Sequence, residues 1–478
     1  MTILDQPILF GLIAIFVYFL GIASAFDAIM KARTSQGAIA WAVVLITLPY
    51  LALPLYWFFG QRKFHGYTLA RRSGDREVRS LADNLTQYVL NLEGVLPGDR
   101  AAIEAVERLA KYPFTGQNKV ELLIDGRATF NKIFDGIEDA QDYILIQFYI
   151  VRSDSIGRAL QERLIRKAKA GVRVFFLYDE IGSRQISGSY VAALRDAGIA
   201  VSSFKTTKSR RSRSQLNFRN HRKIVVVDGR VAYVGGHNVG DEYLGCHTKF
   251  GPWRDTHVRI EGPAVQGVQL SYLEDWYWAT HTVPDLQYLP EPAPGGDKKV
   301  LVLPSGPADD FETYNLFVVQ AILAASQRLW IVSPYFVPDT SVMAALKLAA
   351  LRGVDVRIML PKNSDNLLVD LATYSYFKSL DRVGIKIYRY QAGFLHQKVL
   401  LIDEDVATVG TANMDNRSFR LNFEITIIIL DRLFTKEVER MLETDFARSY
   451  QIDMAELEQR PFYFKVAVQT ARLLAPVL

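Results

Sequence analysis

The longest apolar stretches of the chain lie at its N-terminus, and their lengths predict membrane helices. A run without charged residues extends from Ile8 to Phe26. As a helix it measures about 28 Å, enough to cross the hydrocarbon core of a bilayer. A second run extends from Ala38 to Gly60 and contains two prolines, which membrane helices tolerate. A cleaved signal peptide is the alternative, but residues 1–7 contain no basic residue and a second apolar run follows. These patterns favour a two-helix transmembrane hairpin, either fully spanning or re-entrant.

Basic residues on either side of the second run predict the orientation of the hairpin. The turn carries Lys31 and Arg33, whereas six basic residues follow the second run: Arg62, Lys63, Arg71, Arg72, Arg76 and Arg79. Because positively charged segments stay on the cytoplasmic side of a membrane, we expect the large C-terminal part in the cytoplasm.

Beyond the hairpin, strand-like and helix-like stretches alternate, and the alternation occurs twice. The stretch YILIQFYI (residues 143–150) predicts a buried strand, and an amphipathic stretch that closes at Gly171 predicts the helix after it. The same order returns from LWIVSPYFV (residues 329–337) to a helical stretch that closes at Gly353. We therefore predict an α/β protein with two duplicated α/β/α domains whose mixed central sheets face each other. The predicted boundaries are 1–62 for the hairpin, 63–118 for a polar connector, 119–283 for the first domain, 284–298 for a Pro/Gly-rich linker and 299–478 for the second domain.

The composition excludes several classes of protein. With 478 residues the chain is long enough for two cores of ordinary size. Its 22% of charged residues and 12% of aromatic residues are untypical of a disordered chain. A single cysteine, Cys246, rules out a disulfide framework and a zinc site built from cysteines. The net charge of +5 suits an anionic partner without identifying one.

One short motif occurs in each predicted domain with identical spacing. The first copy, HRKIVVVDGRVAYVGGHN, begins at His221, and the second copy, HQKVLLIDEDVATVGTAN, begins at His396. The β-branched residues between His and Asp predict a strand on which His and Lys, two residues apart, point to the same face. A single copy is common by chance, but two copies inside a larger repeat indicate a shared site. The candidate catalytic residues are His221, Lys223, Asp228, His396, Lys398 and Asp403, and the candidate phosphate-binding residues are Asn238 and Asn413.

This set of side chains suits displacement at a phosphodiester. One histidine can attack phosphorus and form a phosphohistidine, while the other protonates the departing alkoxide and then deprotonates the incoming alcohol. The lysines and asparagines can hold the non-bridging oxygens and stabilise charge in the transition state. Because fixed cations take the place of a metal, we expect no metal and no cofactor.

Each histidine needs a carboxylate to orient it. Asp255 lies in the strand-like stretch PWRDTHVRI, and Glu424 lies in LNFEITIII. We predict that Asp255 orients His221 and that Glu424 orients His396. The two motif aspartates lie at the far ends of their strands, and we expect them to bond the backbone or nearby basic side chains.

The paired motifs resemble those of the phospholipase D superfamily. Together with the N-terminal apolar runs and the segments NFRNHRKIVVVDG, PWRDTHVRIEGP, SPYFVP and NMDNRSFRLNFEI, they make nearly the whole chain similar to the bacterial cardiolipin synthases. The resemblance implies phospholipase D-like domains and transfer of a phosphatidyl group between two phosphatidylglycerol molecules, which gives cardiolipin and glycerol. It also implies His221 as the nucleophile, His396 as the acid and base, and a place in the bacterial inner membrane. Thr411 is a departure, since the first copy has Gly236 at that position.

Two further segments bear on the partner. Five basic residues precede the first motif and suit anionic lipid headgroups: Lys205, Lys208, Arg210, Arg211 and Arg213. The same charges would attract nucleic acid, but few aromatic residues accompany them for base stacking, so we expect lipids and no nucleic acid. The C-terminal stretch PFYFKVAVQTARLLAPVL predicts a helix that either packs on the core or lies in the membrane interface.

Other functions are compatible with the same residues. A hydrolytic phospholipase D or a nuclease would use them too, because water and an alcohol attack the same phosphohistidine; the hairpin argues against a nuclease. A membrane organiser that keeps the fold without catalysis is disfavoured by the intact His, Lys and Asn of both copies. The sequence leaves open the oligomeric state and the range of donors and acceptors.

Overall fold

The computed structural model describes residues 5–31, 35–60, 100–205, 217–246 and 251–478. The chain divides into two compact units: Met1–Phe64 with Thr206–Phe218, and His65–Lys205 with Arg219–Leu478. The first unit holds the predicted hairpin, and the second holds both copies of the motif.

The described part of the N-terminal unit contains three apolar helices, α1 (Asp5–Lys31), α2 (Ser35–Thr47) and α3 (Pro49–Phe59). Among the described residues, one segment, Leu9–Lys31, is long and apolar enough to cross a membrane. Its large apolar side chains face outward, with Phe10 67% and Phe19 66% exposed, as contact with lipid requires. This helix indicates that the chain associates with a membrane.

The predicted second span is divided at Leu48. Helix α2 has 13 residues and α3 has 11, so each falls short of the roughly 20 residues of a membrane span. The division arises because Pro49 lacks a backbone N–H and favours the first position of a new helix. The Tyr56 hydroxyl donates to Asp27 Oδ2 at 2.8 Å, which holds α3 against α1.

The larger unit is a mixed sheet flanked by helices. The strands of its first half are β1 (Thr115–Ile124), β2 (Tyr143–Phe148), β3 (Arg173–Asp179), β4 (Ala200–Phe204), β5 (Arg219–Asn220), β6 (Ile224–Val227), β7 (Val231–Gly235), β8 (Trp253–Arg254) and β9 (Thr256–Glu261). The strands of its second half are β10 (Lys298–Ser305), β11 (Arg328–Val332), β12 (Phe336–Val337), β13 (Asp355–Pro361), β14 (Lys386–Tyr390), β15 (Phe394–Leu395), β16 (Val399–Ile402), β17 (Val406–Gly410), β18 (Met414–Asp415), β19 (Asn422–Leu430) and β20 (Ser449–Gln451).

The helices of this unit follow the same division. Helix α4 (Arg100–Ala110) precedes β1 in the chain but packs on the core of the second half. The first half has α5 (Asp125–Asp139), α6 (Ser155–Lys169), α7 (Gly188–Asp196) and α8 (Ala264–Thr280). The second half has α9 (Thr313–Ala324), α10 (Thr340–Leu351), α11 (Leu367–Asp381), α12 (Asn416–Arg420), α13 (Arg432–Ala447), α14 (Met454–Glu458) and α15 (Phe462–Arg472).

The two halves repeat one topology, which confirms the predicted α/β class and the duplication. The strand order is β4-β3-β2-β6-β7-β9-β1 in the first half and β14-β13-β11-β16-β17-β19-β10 in the second, with β20 beyond β14. In each half three neighbouring strands run parallel and the rest pair antiparallel. Strand β1 pairs with β10, so the two sheets join edge to edge in one continuous sheet. Strand β1 begins at Thr115, inside the predicted connector, because its first residues form this join.

Each half has its own apolar core. Strand β2 is buried along its whole length because helices cover the sheet, which accounts for its unbroken apolar sequence. Ile144 and Ile146 belong to the core of the first half, and Leu329 belongs to the core of the second. Gly171 and Gly353 follow α6 and α10 with φ values of 96° and 90°, so these helices end where the sequence predicts. The cores hold the motif strands β6 and β16 in the middle of the strand order of their own halves.

Candidate active site

Both motif histidines lie where a short strand of one half pairs with the other half. His221 follows β5, which pairs in parallel with the start of β19, and its backbone N–H donates to Phe423 O at 2.9 Å. His396 follows β15, which pairs in parallel with β8, and its backbone N–H donates to Arg254 O at 2.8 Å. The backbone of each histidine is therefore fixed by the opposite half of the sheet.

The imidazole of each histidine is also held by a carboxylate of the opposite half. His221 Nδ1 lies 2.9 and 3.0 Å from the two carboxylate oxygens of Glu424. His396 Nδ1 lies 2.7 Å from Asp255 Oδ2. The predicted pairing of Asp255 with His221 and of Glu424 with His396 is therefore wrong, although each carboxylate does contact a motif histidine.

The crossing has a simple geometric cause. Glu424 and Asp255 occupy equivalent places, each two residues before the partner of the motif glycine: Thr426 pairs with Gly410, and His257 pairs with Gly235. Because β5 lies against β19 and β8 lies against β15, each carboxylate faces the histidine of the other half. The distance along the sequence between a carboxylate and a histidine therefore does not predict which of them are in contact, because the contacts join different halves.

The two carboxylates have different surroundings. Glu424 accepts hydrogen bonds from three side chains of its own half: Thr411 Oγ1 at 2.6 Å, Ser418 Oγ at 3.0 Å and Asn422 Nδ2 at 3.1 Å. Asp255 instead packs against Gly236, where an added Cβ would lie 2.0 Å from Asp255 Oδ1. The difference between Gly236 and Thr411 in the two motif copies thus follows from the carboxylate that each position accommodates.

Both motif lysines are buried beside their histidines. Lys223 Nζ donates to His221 O at 2.6 Å, and Lys398 Nζ lies 2.7 Å from His396 Nδ1 and 3.3 Å from its Nε2. Burial lowers the pKa of Lys223 to about 7 and that of Lys398 to about 8, against the opposing effect of Glu424 and Asp255. The Lys398 charge also lowers the pKa of His221, and the Lys223 charge lowers the pKa of His396. The two motif copies therefore lie within electrostatic reach of each other.

Burial keeps both imidazoles neutral near pH 7. It lowers the pKa of His221 to about 4, although Glu424 acts in the opposite direction. It lowers the pKa of His396 to about 3, and the Lys398 charge adds to this effect while Asp255 opposes it. Burial alone would raise the pKa of Asp255, but Lys398 and His396 outweigh it and hold that pKa well below its usual range. A neutral imidazole whose Nδ1 faces a carboxylate keeps its lone pair on Nε2, where it can attack or accept a proton.

The candidate phosphate-binding asparagines differ in their contacts. Asn238 Oδ1 accepts from the backbone N–H of Ile150 at 3.1 Å, and its Nδ2 donates to the Tyr243 hydroxyl at 3.1 Å. Since an amide nitrogen has two hydrogens, Asn238 Nδ2 can donate a second hydrogen bond. The Asn413 side chain is buried, and its Oδ1 has no hydrogen-bond partner among the described residues. The phosphate-binding role of both residues stays a prediction.

Aromatic rings that the sequence patterns did not predict lie next to both histidines. The Tyr149 ring centroid lies 5.0 Å from that of His221. The Trp253 and Phe394 centroids lie 5.1 and 5.8 Å from that of His396. Trp253 and Phe394 stand two residues before Asp255 and His396 respectively, so the spacing of alternate residues on a strand could have identified them.

The structure describes part of the two outer segments. Of the five basic residues before the first motif, Lys205 is described and exposed, whereas Lys208, Arg210, Arg211 and Arg213 lie outside the described residues. The C-terminal helix α15 packs against α11, with Val468 and Ala471 buried, but its Phe462 and Tyr463 are 80% and 76% exposed. One face of α15 therefore packs on the core, which is the first of the two predicted alternatives. The exposed rings of Phe462 and Tyr463 are available for membrane contact.

The motif aspartates lie at the opposite ends of their strands from the histidines. Asp228 accepts from the backbone N–H groups of residues 141, 142 and 143, each at 2.8 Å. Asp403 accepts from those of residues 326, 327 and 328 at 2.8 to 3.2 Å. This confirms the expected backbone bonding, and each aspartate ties a turn to the start of the neighbouring strand. A catalytic role for the two aspartates stays a prediction.

Replacing either aspartate with asparagine should lower stability and leave catalysis intact. Both residues have positive φ values, 52° for Asp228 and 49° for Asp403, which asparagine tolerates, so the substitution tests the carboxylate alone. We expect Asp228→Asn and Asp403→Asn each to lower the free energy of unfolding by about 1–3 kcal/mol. Thermal unfolding in detergent measures this loss, with the exposed Asp381→Asn as control. A variant that loses transfer activity while its free energy of unfolding is unchanged would support a catalytic role for the aspartates.

Comparison with known proteins gives matches along nearly the whole chain. A family model described as "Cardiolipin synthase, PLD-like domain" matches residues 133–249 and 318–446, one segment in each half of the sheet. A model described as "Phospholipase_D-nuclease N-terminal" matches residues 19–61.

Named relatives and solved structures agree with these matches. The chain is 47% identical to cardiolipin synthase A of Pseudomonas putida (strain GB-1) over 476 residues, which is 99% of each chain. It is 46% identical to cardiolipin synthase A of Pseudomonas fluorescens over 475 residues, again 99% of each chain. The crystal structure of phosphatidylserine synthase from Haemophilus influenzae has a TM-score of 0.59 and 14% identity, covering 79% of this chain and 100% of that chain. The last likeness shows a shared fold.

Proposed function

Because the chain belongs to the cardiolipin synthase family of phospholipase D-like proteins, we propose that it transfers a phosphatidyl group from one phosphatidylglycerol to another, giving cardiolipin and glycerol. The observation that carries this proposal is the crossed arrangement of His221 with Glu424 and of His396 with Asp255. Two neutral, oriented imidazoles and two buried lysines support a shared site between the halves.

The first step forms a covalent intermediate. His221 Nε2 attacks the phosphorus of the donor, a P–N bond forms, and the P–O bond to the departing glycerol breaks. His396 gives a proton to the glycerol oxygen as it leaves. Although His396 is neutral without substrate, a bound phosphodiester places a negative charge beside it, which favours the protonated form. Lys223 and Lys398 stabilise the charge on the non-bridging oxygens.

The second step releases the product and restores the site. His396, now neutral, accepts the proton of a glycerol hydroxyl on the second phosphatidylglycerol. The resulting oxygen attacks phosphorus, the P–N bond breaks, and His221 returns to its neutral form. Glu424 and Asp255 hold the two imidazoles in the tautomer that each step needs.

A product assay tests this function directly. Full-length protein in phosphatidylglycerol vesicles should release glycerol and form cardiolipin in equal amounts. Phosphatidic acid as the sole product would show that water is the acceptor and would refute transfer. Cleavage of a phosphodiester in nucleic acid, with no lipid product, would support the nuclease alternative.

We also propose that the N-terminal helices form a multi-pass anchor with the catalytic halves on the cytoplasmic side of the inner membrane. The distribution of basic residues supports this orientation, and the exposed apolar surface of α1 supports insertion. In intact cells, Arg33→Cys in a Cys246→Ser background should react with a membrane-impermeant thiol reagent added outside. Labelling only after the cells are opened would overturn the orientation.

The pKa values of the lysines predict an alkaline limit to activity. A lysine carries its charge only below its pKa, which is about 7 for Lys223 and about 8 for Lys398, so kcat/KM should fall as the pH rises through this interval. His221 must be neutral to attack, and because its pKa is about 4, activity should persist down to about that pH.

A substitution distinguishes deprotonation of Lys223 from other causes of lost activity at alkaline pH. Arginine keeps its charge throughout this range, so Lys223→Arg should move the alkaline limb of the kcat/KM profile upward, towards the pKa of Lys398. The exposed Lys436→Arg serves as control and should leave the limb in place. A limb that does not move in Lys223→Arg would contradict the prediction.

A further inference from the structure

The C-terminal helix α15 is packed firmly along one of its faces. Val468 and Ala471 are buried, and the ring centroid of Phe464 lies 5.4 Å from that of Tyr374 in α11. The three residues of α15 are spaced four and three apart, which is the spacing of one helix face. This packing makes α15 a fixed part of the larger unit, so the side chains on its other face are held in place as well.

The opposite face of α15 is also apolar, and it is exposed. Phe462, Tyr463 and Val466 are exposed on the helix, and Leu473, which continues the helical backbone at its end, is 79% exposed. Val466 lies about 200° around the helix from the buried Val468, and Phe462, Val466 and Leu473 recur along the same side. A surface helix normally turns polar residues outward, so an exposed apolar face of this kind indicates an interaction surface.

The charges of the same segment distinguish between the possible occupants of this face. The sequence from residue 460 to residue 478 contains three basic residues and no acidic residue. Two of the basic residues, Lys465 and Arg472, lie within α15 and are exposed. A second copy that packs symmetrically on this face would bring these like charges together with no acidic residue from the segment to offset them. An anionic lipid surface is instead attracted by basic residues that flank an apolar helix face.

The end of the chain is also tied to the candidate active site. Asn416, the first residue of α12, donates from Nδ2 to Ala475 O at 2.9 Å. Ser418 of the same short helix donates from Oγ to Glu424 Oε1 at 3.0 Å, and Glu424 holds the Nδ1 of His221. The segment that follows α15 and the support of His221 are therefore parts of one hydrogen-bonded arrangement.

We propose that α15 lies in the interface of an anionic bilayer, with its exposed apolar face below the lipid headgroups. Lys465 and Arg472 extend to the lipid phosphates, as long basic side chains do beside an apolar face. The chain already associates with a membrane through α1, which supplies the high local concentration of lipid that a weak amphipathic contact needs. Docking of α15 goes beyond the proposed transfer reaction, because it concerns how the larger unit meets the membrane and not which bond it breaks.

A fluorescent probe on α15 tests this contact in the full chain. In a Cys246→Ser background, Val466→Cys is labelled with a nitrobenzoxadiazole dye, and the protein is reconstituted in vesicles of phosphatidylglycerol and phosphatidylcholine. Lipid with a doxyl group on its acyl chain quenches a dye in the bilayer, whereas iodide on both sides of the vesicle quenches a dye in water. We expect quenching by the lipid and protection from iodide. The same dye at Glu437→Cys, an exposed position of α13, should be quenched by iodide.

Substitutions on the exposed face should release the labelled helix from the bilayer. Phe462→Gln combined with Tyr463→Gln should lower the ratio of lipid-quenched to iodide-quenched dye about tenfold or more, because two rings no longer enter the apolar layer. Lys465→Gln and Arg472→Gln should each lower this ratio about fivefold in phosphatidylglycerol vesicles and leave it unchanged in pure phosphatidylcholine. Leu433→Gln makes a similar change at an exposed position of α13 and should not change the ratio.

Two other results would overturn docking on the bilayer. A dye at position 466 that iodide quenches and the lipid does not would show that this face stays in water. A dye that neither reagent quenches would show that protein covers the face, and self-quenching between labelled chains would then identify a second copy. Because the substituted side chains are exposed, thermal unfolding in detergent should be the same for all variants. The dye reports position and not turnover, so either contrary result leaves the proposed transfer reaction standing.

Discussion

His221→Asn is expected to lower phosphatidyl transfer by about 10⁴-fold or more and to leave no covalent phosphatidyl-enzyme. His221 has the arrangement that a nucleophile requires, because Glu424 holds its Nδ1 from two oxygens and burial lowers its pKa to about 4. Asparagine preserves polarity and approximate size, but its amide nitrogen has no lone pair available to attack phosphorus. The substitution therefore removes the first chemical step and not only an orientation effect.

His396→Asn should have a different effect, which makes the two roles separable. Transfer from phosphatidylglycerol should fall by about 10²–10⁴-fold, because the leaving alkoxide lacks its acid. A donor with a nitrophenol leaving group does not need that acid. The variant should then accumulate the phosphatidyl-enzyme, since the base for the second step is missing as well.

Denaturing the protein in detergent at mildly alkaline pH after reaction with a donor labelled on phosphorus preserves the acid-labile P–N bond and measures the intermediate. Peptide mapping at the same pH identifies the labelled histidine. His281→Asn is the matched control, because His281 is exposed and has a φ of 59° that asparagine accommodates. It should retain full activity. Label retained in His221→Asn and lost in His396→Asn would exchange the two roles, and label in neither variant would contradict the phosphohistidine mechanism.

The elements nearest to the chemistry were those that the sequence predicted best. The β-branched segments after His221 and His396 do form the strands β6 and β16, because residues buried on both faces of a sheet give a pattern that is visible without a structure. The family, the α/β class, the duplication and cardiolipin synthesis are likewise supported by the comparisons and the fold. The repeat of two motif copies with equal spacing carried most of this information.

Contacts between the halves could not be predicted from the same patterns. Strands β5 and β8 are two residues long, too short for any periodicity, yet they decide which carboxylate meets which histidine. Alternation along a strand tells which face a side chain occupies, but it does not tell which strand from the other half lies against that face. The join of β1 to β10 escaped prediction for the same reason. At the N-terminus, a hydropathy pattern does not distinguish one helix from two that are divided at Pro49.

Glu424→Gln is expected to lower transfer by about 10²–10⁴-fold, and the step that it slows tests the crossed pairing. Glutamine can accept a hydrogen bond from Nδ1 only through its single amide oxygen, and its NH₂ group favours the tautomer with the proton on Nε2, which cannot attack phosphorus. Because Glu424 contacts His221, the loss should appear in the nitrophenol burst that reports formation of the intermediate. Asp255→Asn acts on His396 and should instead slow the transfer to the acceptor.

A double-substitution experiment distinguishes the crossed pairing from pairing within each half. A residue that works only through His396 has no further effect once His396 is absent, so Asp255→Asn should change the burst rate little in a His396→Asn background. Glu424→Gln should lower the burst rate by the same factor in that background as in the unsubstituted chain. It acts through His221, so its effect on the activation free energy adds to that of His396→Asn. The opposite result, an additional loss from Asp255→Asn and none from Glu424→Gln, would restore the pairing of each carboxylate with the histidine of its own half. Because each carboxylate comes from the opposite half, the crossed result would also mean that neither half alone contains an oriented histidine.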